Sequence, residues 1–282
     1  MVEQWTENPC VPSSILGGTT LKRLQMQSFF VKNGIFVKKR TLNLIIDIGN
    51  TRTKLAVFNN DVLKLVVKVK NTNLINELVS IFEKENISRT IISSVAKTNK
   101  EVSSFLSKKS EVIFLNSKTK IPFKNFYKTP STLGVDRIAL MTAAYSTYPN
   151  KNVLVIDAGS CITYDFLNIK NEYFGGAIAP GITMKYKAMH HFTANLPLLK
   201  PKASVKQGDS TKNAMHQGVI NGTVLEIEGI IKQYKNKYDN LTIVLTGGDT
   251  IFLAKLVKSS IFANSNFLLD GLNYILNYNL QK

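Results

Sequence analysis

The sequence is short of the residues that build disulfide or metal frameworks. Cys10 and Cys161 are its only cysteines, which excludes a disulfide scaffold and a cysteine-held metal cluster. His190, His191 and His216 lack companions at ligand spacing, so a transition metal held by protein side chains is not expected. No apolar run approaches the roughly 18 to 20 residues needed to span a bilayer. The N-terminus lacks the basic, apolar and small-residue order of a secretory signal. A cytoplasmic location without membrane partners is therefore the expectation. The two common phosphate-binding signatures, a Gly-rich loop ending in GK[ST] and a GxGxxG turn, are missing as well. Acidic residues are scarce, 19 against 36 lysines and arginines, for a net charge of +17. Such an excess suits nucleic acid, acidic membranes or anionic substrates. The basic residues are scattered, however, with Lys38-Lys39-Arg40 the longest run, and no basic block is interleaved with aromatics. Nucleic-acid binding is accordingly not expected.

What is present is a globular chain, 44% hydrophobic over 282 residues, long enough for two domains of ordinary size. Residues 1–20 mix Pro, Gly, Ser and Thr without a period, and "LQMQSFFVKNGIFVKK" after them is apolar enough for a short helix or strand but lacks a clear partner, so 1–41 reads as a poorly ordered extension outside the core. From residue 42 the pattern is strong. "LNLIID", "TKLAVF" and "VLKLVVKV" are short runs of branched residues separated by Gly49-Asn50-Thr51 and Asn59-Asn60-Asp61, a three-strand meander. Leu74, Ile75, Leu78, Val79 and Phe82 form a helical stripe. "RTIISSVA" predicts a strand, "NKEVSSFLSKK" a helix, "EVIFLN" a strand, and "GVDRIALMTAAYSTY" a helix with Asp136 in its first turn. Strands alternating with helices imply α/β architecture.

At residue 153 the pattern begins again. "VLVIDAGSCITYDF" echoes "LNLIIDIGNTRTKLAVF" at an offset of 110, placing Asp47 on Asp157, Gly49 on Gly159 and Thr53 on Thr163. Strand, glycine turn, strand, polar turn, strand occurs in both halves, which implies a duplicated domain. The expected domains are 42–150 and 151–282, divided at "YPNKN". A glycine after a strand lets backbone amides approach a phosphate closely, and the hydroxyls beside it add donors. An aspartate at the strand end can hold a hydrated Mg²⁺ that bridges phosphate oxygens. One Asp-x-Gly turn is a weak signal. Two in register can grip one nucleotide from both sides, and a third glycine turn, "IVLTGGDT", follows at 243–250.

The combination resembles the actin, Hsp70 and sugar-kinase superfamily, whose two ribonuclease-H-like domains clamp ATP across a cleft. Within it the chain is most similar to type III pantothenate kinases. The matching signatures are "DIGNTRTK", "GVDR", "DAGSCIT", "GGAIAPGITM" running to "TANLP", "GDSTKNAM" and "TGG", in that order over nearly all of residues 42–280. The resemblance implies ATP-dependent phosphorylation of pantothenate to 4′-phosphopantothenate, with ATP, Mg²⁺ and K⁺ (or NH₄⁺) as cofactors, in a homodimer. It makes Asp47, Ile48, Gly49, Asn50, Thr51, Arg52, Thr53 and Lys54 the ATP-phosphate segment, with Asp47 toward Mg²⁺. It assigns Tyr127, Gly134, Val135, Asp136, Arg137 and Thr211 to pantothenate, with Asp136 as the catalytic base. Asp157 corresponds to a potassium ligand and Ser160 to an ATP-binding threonine. The chain departs from the usual Gly-Thr-Ala with Gly159-Ser160-Cys161; serine keeps the hydroxyl that can bond phosphate. Relatives have also been described as accessory factors for transcription, so the alternative is a basic, non-catalytic regulator on the same fold.

Overall fold

The computed structural model describes residues 42–49, 52–94, 99–202 and 207–280. The extension 1–41, Asn50, Thr51 and the last two residues of "RTIISSVA" lie outside the described residues.

The first half follows the expected period. β1 (Leu42–Ile48), β2 (Arg52–Asn59) and β3 (Val62–Lys70) form the antiparallel meander. β4 (Ile87–Ser94) and β5 (Glu111–Phe114) add in parallel on the other side of β1, giving the order β3-β2-β1-β4-β5. Parallel neighbours need crossover connections. α1 (Leu74–Lys84) and α2 (Lys100–Lys109) supply them, burying Leu78, Ile81, Val102 and Leu106 against the sheet.

The second half repeats the plan. β7 (Val153–Ala158), β8 (Cys161–Leu167) and β9 (Glu172–Pro180) form a meander, while β10 (Thr242–Thr246) and β11 (Phe262–Ala263) run parallel beyond β7. The likeness extends to the turns: Asn60 and Asn171, each between the second and third strands of its meander, both take positive φ, which asparagine tolerates better than most residues. One strand has no counterpart. β6 (Lys124–Asn125), from the Pro- and Lys-rich loop, pairs in parallel with β9 and closes the order β11-β10-β7-β8-β9-β6.

The echo is less regular than the offset of 110 suggests. Asp47 lies opposite Lys54 on the β1–β2 ladder, whereas Asp157 lies opposite Thr163 on β7–β8. The first turn is therefore one residue longer. Thr163 takes the place of Lys54, not of Thr53 as the alignment had it, because a one-residue change in a hairpin turn moves every following side chain to the other face.

The remaining helices are α3 (Val135–Thr147), α4 (Ile182–His191), α5 (Thr211–His216), α6 (Gly222–Lys237), α7 (Thr250–Leu253) and α8 (Phe267–Leu280). α3 is buried on every side from Arg137 to Ala144, as expected of a helix enclosed by protein. It packs against α8 at a close crossing set by one glycine. A Cβ on Gly271 would lie 1.9 Å from the Ala139 carbonyl oxygen and 3.1 Å from the Ala143 nitrogen. Alanine in place of a helical glycine gains about 1 kcal/mol in propensity, but pushing two packed helices apart costs about 1–3 kcal/mol or more. Gly271→Ala is expected to lower the melting temperature by several degrees, on the order of 2–4 °C per kcal/mol lost. A variant melting at or above wild type would contradict this account of the crossing.

Candidate active site

The site gathers at the ends of β1, β7 and β10. Each of these strands runs through an apolar stretch (Leu44–Ile46, Val153–Ile156 and Ile243–Leu245) that stops just short of the end of the strand, where a polar side chain follows. Asp47 ends the buried part of β1 and is flanked by Lys54 on β2 and Ser93 on β4. Burial pushes its carboxyl up to about 6, and the Asp136 charge adds to the rise, while Lys54 and the Ser93 hydroxyl oppose it. Asp157 occupies the same place on β7. Burial is again the largest cause of its rise to about 7, followed by Asp136, with Lys54 opposing. Asp136 acts on both carboxylates, so the structure brings Asp136 and Asp157 to the Asp47–Lys54 hairpin pair from distant parts of the sequence.

Glycine turns frame this cluster. Gly49 donates its N–H to the Arg52 carbonyl at 3.1 Å. Gly181, just before α4, donates to the Ser160 carbonyl at 3.1 Å, and a Cβ there would strike the Gly159 and Ser160 oxygens. Ser160 is exposed and borders an open cavity of about 490 Å³ with Thr183, Met184 and Lys187. The third glycine turn closes from β10: Gly247 has φ +98°, and a Cβ on it would come within 2.4 Å of Asp157 Oδ1. Only glycine combines that backbone with that approach. The Asp249 N–H donates to the Ala158 carbonyl at 2.9 Å, tying this turn to the end of β7.

Asp136 stands in the first turn of α3, where its Oδ1 accepts the Arg137 N–H at 2.8 Å. Gly134 makes room for it, since a Cβ there would lie 2.3 Å from the same oxygen. Val135 opens the helix beside it.

Not every residue of the expected segments faces the cluster. Thr53 is fully buried, and its hydroxyl donates to Asn71 Oδ1 at 2.9 Å; Asn71 in turn donates to the Gly49 carbonyl at 3.0 Å. Thr53 thus braces the first turn from behind. Ile48 packs on the apolar cluster under that sheet, and Arg52 is exposed. Arg137 is buried and turned to Asp165, with Nη2 at 2.6 Å and Nε at 3.0 Å. Its guanidinium also lies over the Tyr127 ring, 5.4 Å from the centroid. Thr211 is exposed in the first turn of α5, which is capped by Ser210. Among the described residues, no hydrogen bond, ion pair or ring contact joins Thr211 to Tyr127 or Asp136.

Sequence reading passed over Asp165, Tyr173 and Gly175. The signal for Asp165 was present: a lone carboxylate inside "CITYDFL", a strand otherwise apolar or hydroxylic, has to be paired if the strand is buried.

The donor set suits cations that complete their shells with phosphate and water. No group of three or more His, Cys, Asp or Glu able to hold a metal occurs among the described residues, and Mg²⁺ needs only one or two carboxylates when a phosphate supplies the rest. Beside Asp157, the Thr163 hydroxyl is buried with no protein hydrogen-bond partner among the described residues. An unpaired buried oxygen next to a carboxylate held up by burial fits a monovalent cation there. No helix among the described residues is long and apolar enough to cross a membrane.

Two sheets that share one five-strand order, each ending its first strand in an aspartate over a glycine turn, define the two-domain actin-like ATPase fold. Solved structures agree on the fold. A protein described as a Baf family transcriptional activator from Campylobacter jejuni superposes with a TM-score of 0.55 at 24% identity, over 84% of this chain and 98% of its own. The glucokinase of Balamuthia mandrillaris does so with a TM-score of 0.50 at 12% identity, over 91% and 99%. The sequence narrows the class. The family model for type III pantothenate kinase matches residues 43–233. The type III pantothenate kinase of Christiangramia forsetii is 48% identical over 241 residues, 84% of this chain and 99% of that one. The chain belongs to the type III pantothenate kinase family.

Proposed function

We propose that the chain transfers the γ-phosphoryl group of ATP to the primary hydroxyl of pantothenate, giving 4′-phosphopantothenate, the first committed intermediate toward coenzyme A. The observation that carries the reading is the convergence of Asp136 with Asp47, Asp157 and Lys54 at the ends of the duplicated strands. Phosphoryl transfer passes through a loose transition state, so positioning and charge stabilisation do most of the work. Asp136 would accept the proton of the attacking hydroxyl. Its seat at a helix N-terminus, with the Arg137 N–H on one oxygen, leaves the other oxygen for the acceptor. Lys54 would offset phosphate charge, and Ser160 with the amides of the Gly49 and Gly159 turns would bond phosphate oxygens. Asn50 and Thr51, expected on the phosphates, belong to the same first turn.

Asp47 would hold Mg²⁺ through the phosphates, and Asp157 with Thr163 would hold K⁺ or NH₄⁺. Bound there, the two cations would offset negative charge on the phosphate oxygens. Tyr127 and the Gly134–Arg137 turn would face pantothenate, with the Arg137 guanidinium acting through the tyrosine ring that it covers. The reading extends to a cytoplasmic homodimer. Its support is the exposed stack of Phe126 on Phe174, with ring centroids 5.1 Å apart, and exposed Ile178 on the same strand as Phe174.

A coupled assay of ADP release with pantothenate, ATP and Mg²⁺, run in potassium and then in sodium, tests the reading. Pantothenate-dependent turnover that falls several-fold in sodium is expected. No turnover, together with DNA binding that weakens steeply with salt, would instead favour the basic regulator.

A further inference from the structure

Among the described residues, a buried charged pair joins Arg137 of α3 to Asp165 of β8, and the proposed chemistry leaves its carboxylate unused. Asp165, in the middle of β8, is fully buried. Its Oδ1 accepts Arg137 Nη2 at 2.6 Å and the Tyr173 hydroxyl at 2.7 Å, and Arg137 Nε lies 3.0 Å from both carboxylate oxygens. A buried ion pair of this kind stabilises little, because the cost of taking two charges out of water roughly cancels their attraction; two apolar residues of the same volume would often serve the fold better. What the pair provides is fixed geometry. A forked guanidinium on a carboxylate admits few orientations, and three groups are arranged around it.

The first neighbour is Tyr127. Its ring lies under the Arg137 guanidinium at 5.4 Å and stacks on Tyr173 at 6.1 Å with 16° between planes. The second is Gly175, with φ +111°, where a Cβ would stand 2.9 Å from two Tyr127 ring carbons. Strand β9 is thus shaped to receive the ring edge. The third is Asp136, one residue before Arg137 on α3, whose Oδ1 is held by the Arg137 backbone N–H.

We propose that Asp165 is a positioning residue for the acceptor side of the site. Through Arg137 it locks the first turn of α3 that carries Asp136, and through Arg137 and Tyr173 it holds the Tyr127 ring. It touches neither substrate. Displacements of about 1 Å at a reacting group cost as much as 10²-fold in rate, so loosening this clamp penalises pantothenate specifically. The ATP turns hang from the ends of β1, β7 and β10, which Asp165 reaches only through its charge, one of the lesser causes of the rise at Asp157; Tyr173→Phe leaves that charge in place.

The proposal rests on the reading that pantothenate is the acceptor, and the test separates the two. Initial rates are measured with each substrate varied in turn for wild type, Asp165→Asn and Tyr173→Phe. The pantothenate KM is expected to rise about tenfold in Asp165→Asn and several-fold in Tyr173→Phe, with the ATP KM within twofold of wild type. Asp165→Asn leaves a buried guanidinium without its counter-charge and can fail to fold. Tyr173→Phe keeps the ion pair and removes one hydroxyl, so it carries the test in that event. A pantothenate KM unchanged in Tyr173→Phe, or both KM values raised equally, overturns the role of Asp165. Absence of pantothenate turnover in the wild type overturns the acceptor reading, and the proposal with it.

Discussion

Asp136→Asn is expected to lower pantothenate phosphorylation by about 10²- to 10⁴-fold, the usual contribution of a positioned general base, with little change in melting temperature. The amide is nearly the same size as the carboxylate and its oxygen can still accept the Arg137 N–H, so the start of α3 survives. The loss of a negative charge at the helix N-terminus costs only about 0.3–1 kcal/mol. That loss is offset in part, because Asp136 raises the carboxyls of Asp47 and Asp157 and its removal relieves both. What the amide cannot do is take the hydroxyl proton as the phosphoryl group moves. ATP binding should persist, so kcat falls far more than the ATP KM changes. Undiminished turnover by the variant would remove Asp136 from the chemistry and leave it a helix-end carboxylate.

Asp157→Asn should act in two directions. Activity is expected to fall on the order of 10²-fold, the scale of losing one preorganised charge contact to the transferring group, and the preference for potassium over sodium should disappear. Stability in the absence of ATP and potassium is expected to rise. The Asp157 carboxyl is near 3.8 in the unfolded chain and is pushed up to about 7 in the fold. Above pH 7 it is ionised in both states, and the fold bears the cost of enclosing the charge. As pH falls from 7 toward 4 the folded state takes up the proton first, and the cost fades. Asparagine removes the cost at every pH. The variant should therefore melt higher than wild type at pH 8, by an amount worth roughly 1–3 kcal/mol once the nearby Lys54 is allowed for, and the gap should narrow to less than half by about pH 5, closing only near the unfolded value of about 4. Asp47 moves in the same direction, to about 6, so a smaller rise in stability on acidification persists in the variant. Melting curves at the two pH values in potassium-free buffer decide it. A variant no more stable than wild type at pH 8 would contradict the account.

Much of the architecture was legible in order along the chain. Both meanders, the helices between the strands and the duplication follow from period-two and period-3.6 patterns and from turn residues such as Asn60 and Asn171, all of which are local. Asp47, Asp136 and Asp157 were also readable, because each sits where an apolar run stops or a helix starts. The register of the echo was not. Whether Thr53 or Thr163 lies beside the carboxylates depends on one extra residue in a turn, and composition does not show which side chain moves to the other face.

Other features depended on partners far away in the sequence. β6 is two residues long and carries no strand pattern of its own; it exists because the edge of β9 offers it a ladder. Asn43 at the start of β1 donates to Asn273 and Asn277 of α8, more than 200 residues on, and neither end announces the other. Arg137 was read as a contact for pantothenate from its place in "GVDR", while the fold turns its guanidinium toward Asp165 on β8. The sequence by itself determined the strand and helix order, the duplication and the three carboxylates at element ends, since propensity, periodicity and turn chemistry reside in adjacent residues. Tertiary structure alone decided the register, the burial that raises Asp47 and Asp157, and the pairing of Arg137 with Asp165. Those depend on which faces meet, and desolvation and pairing arise only once they have met.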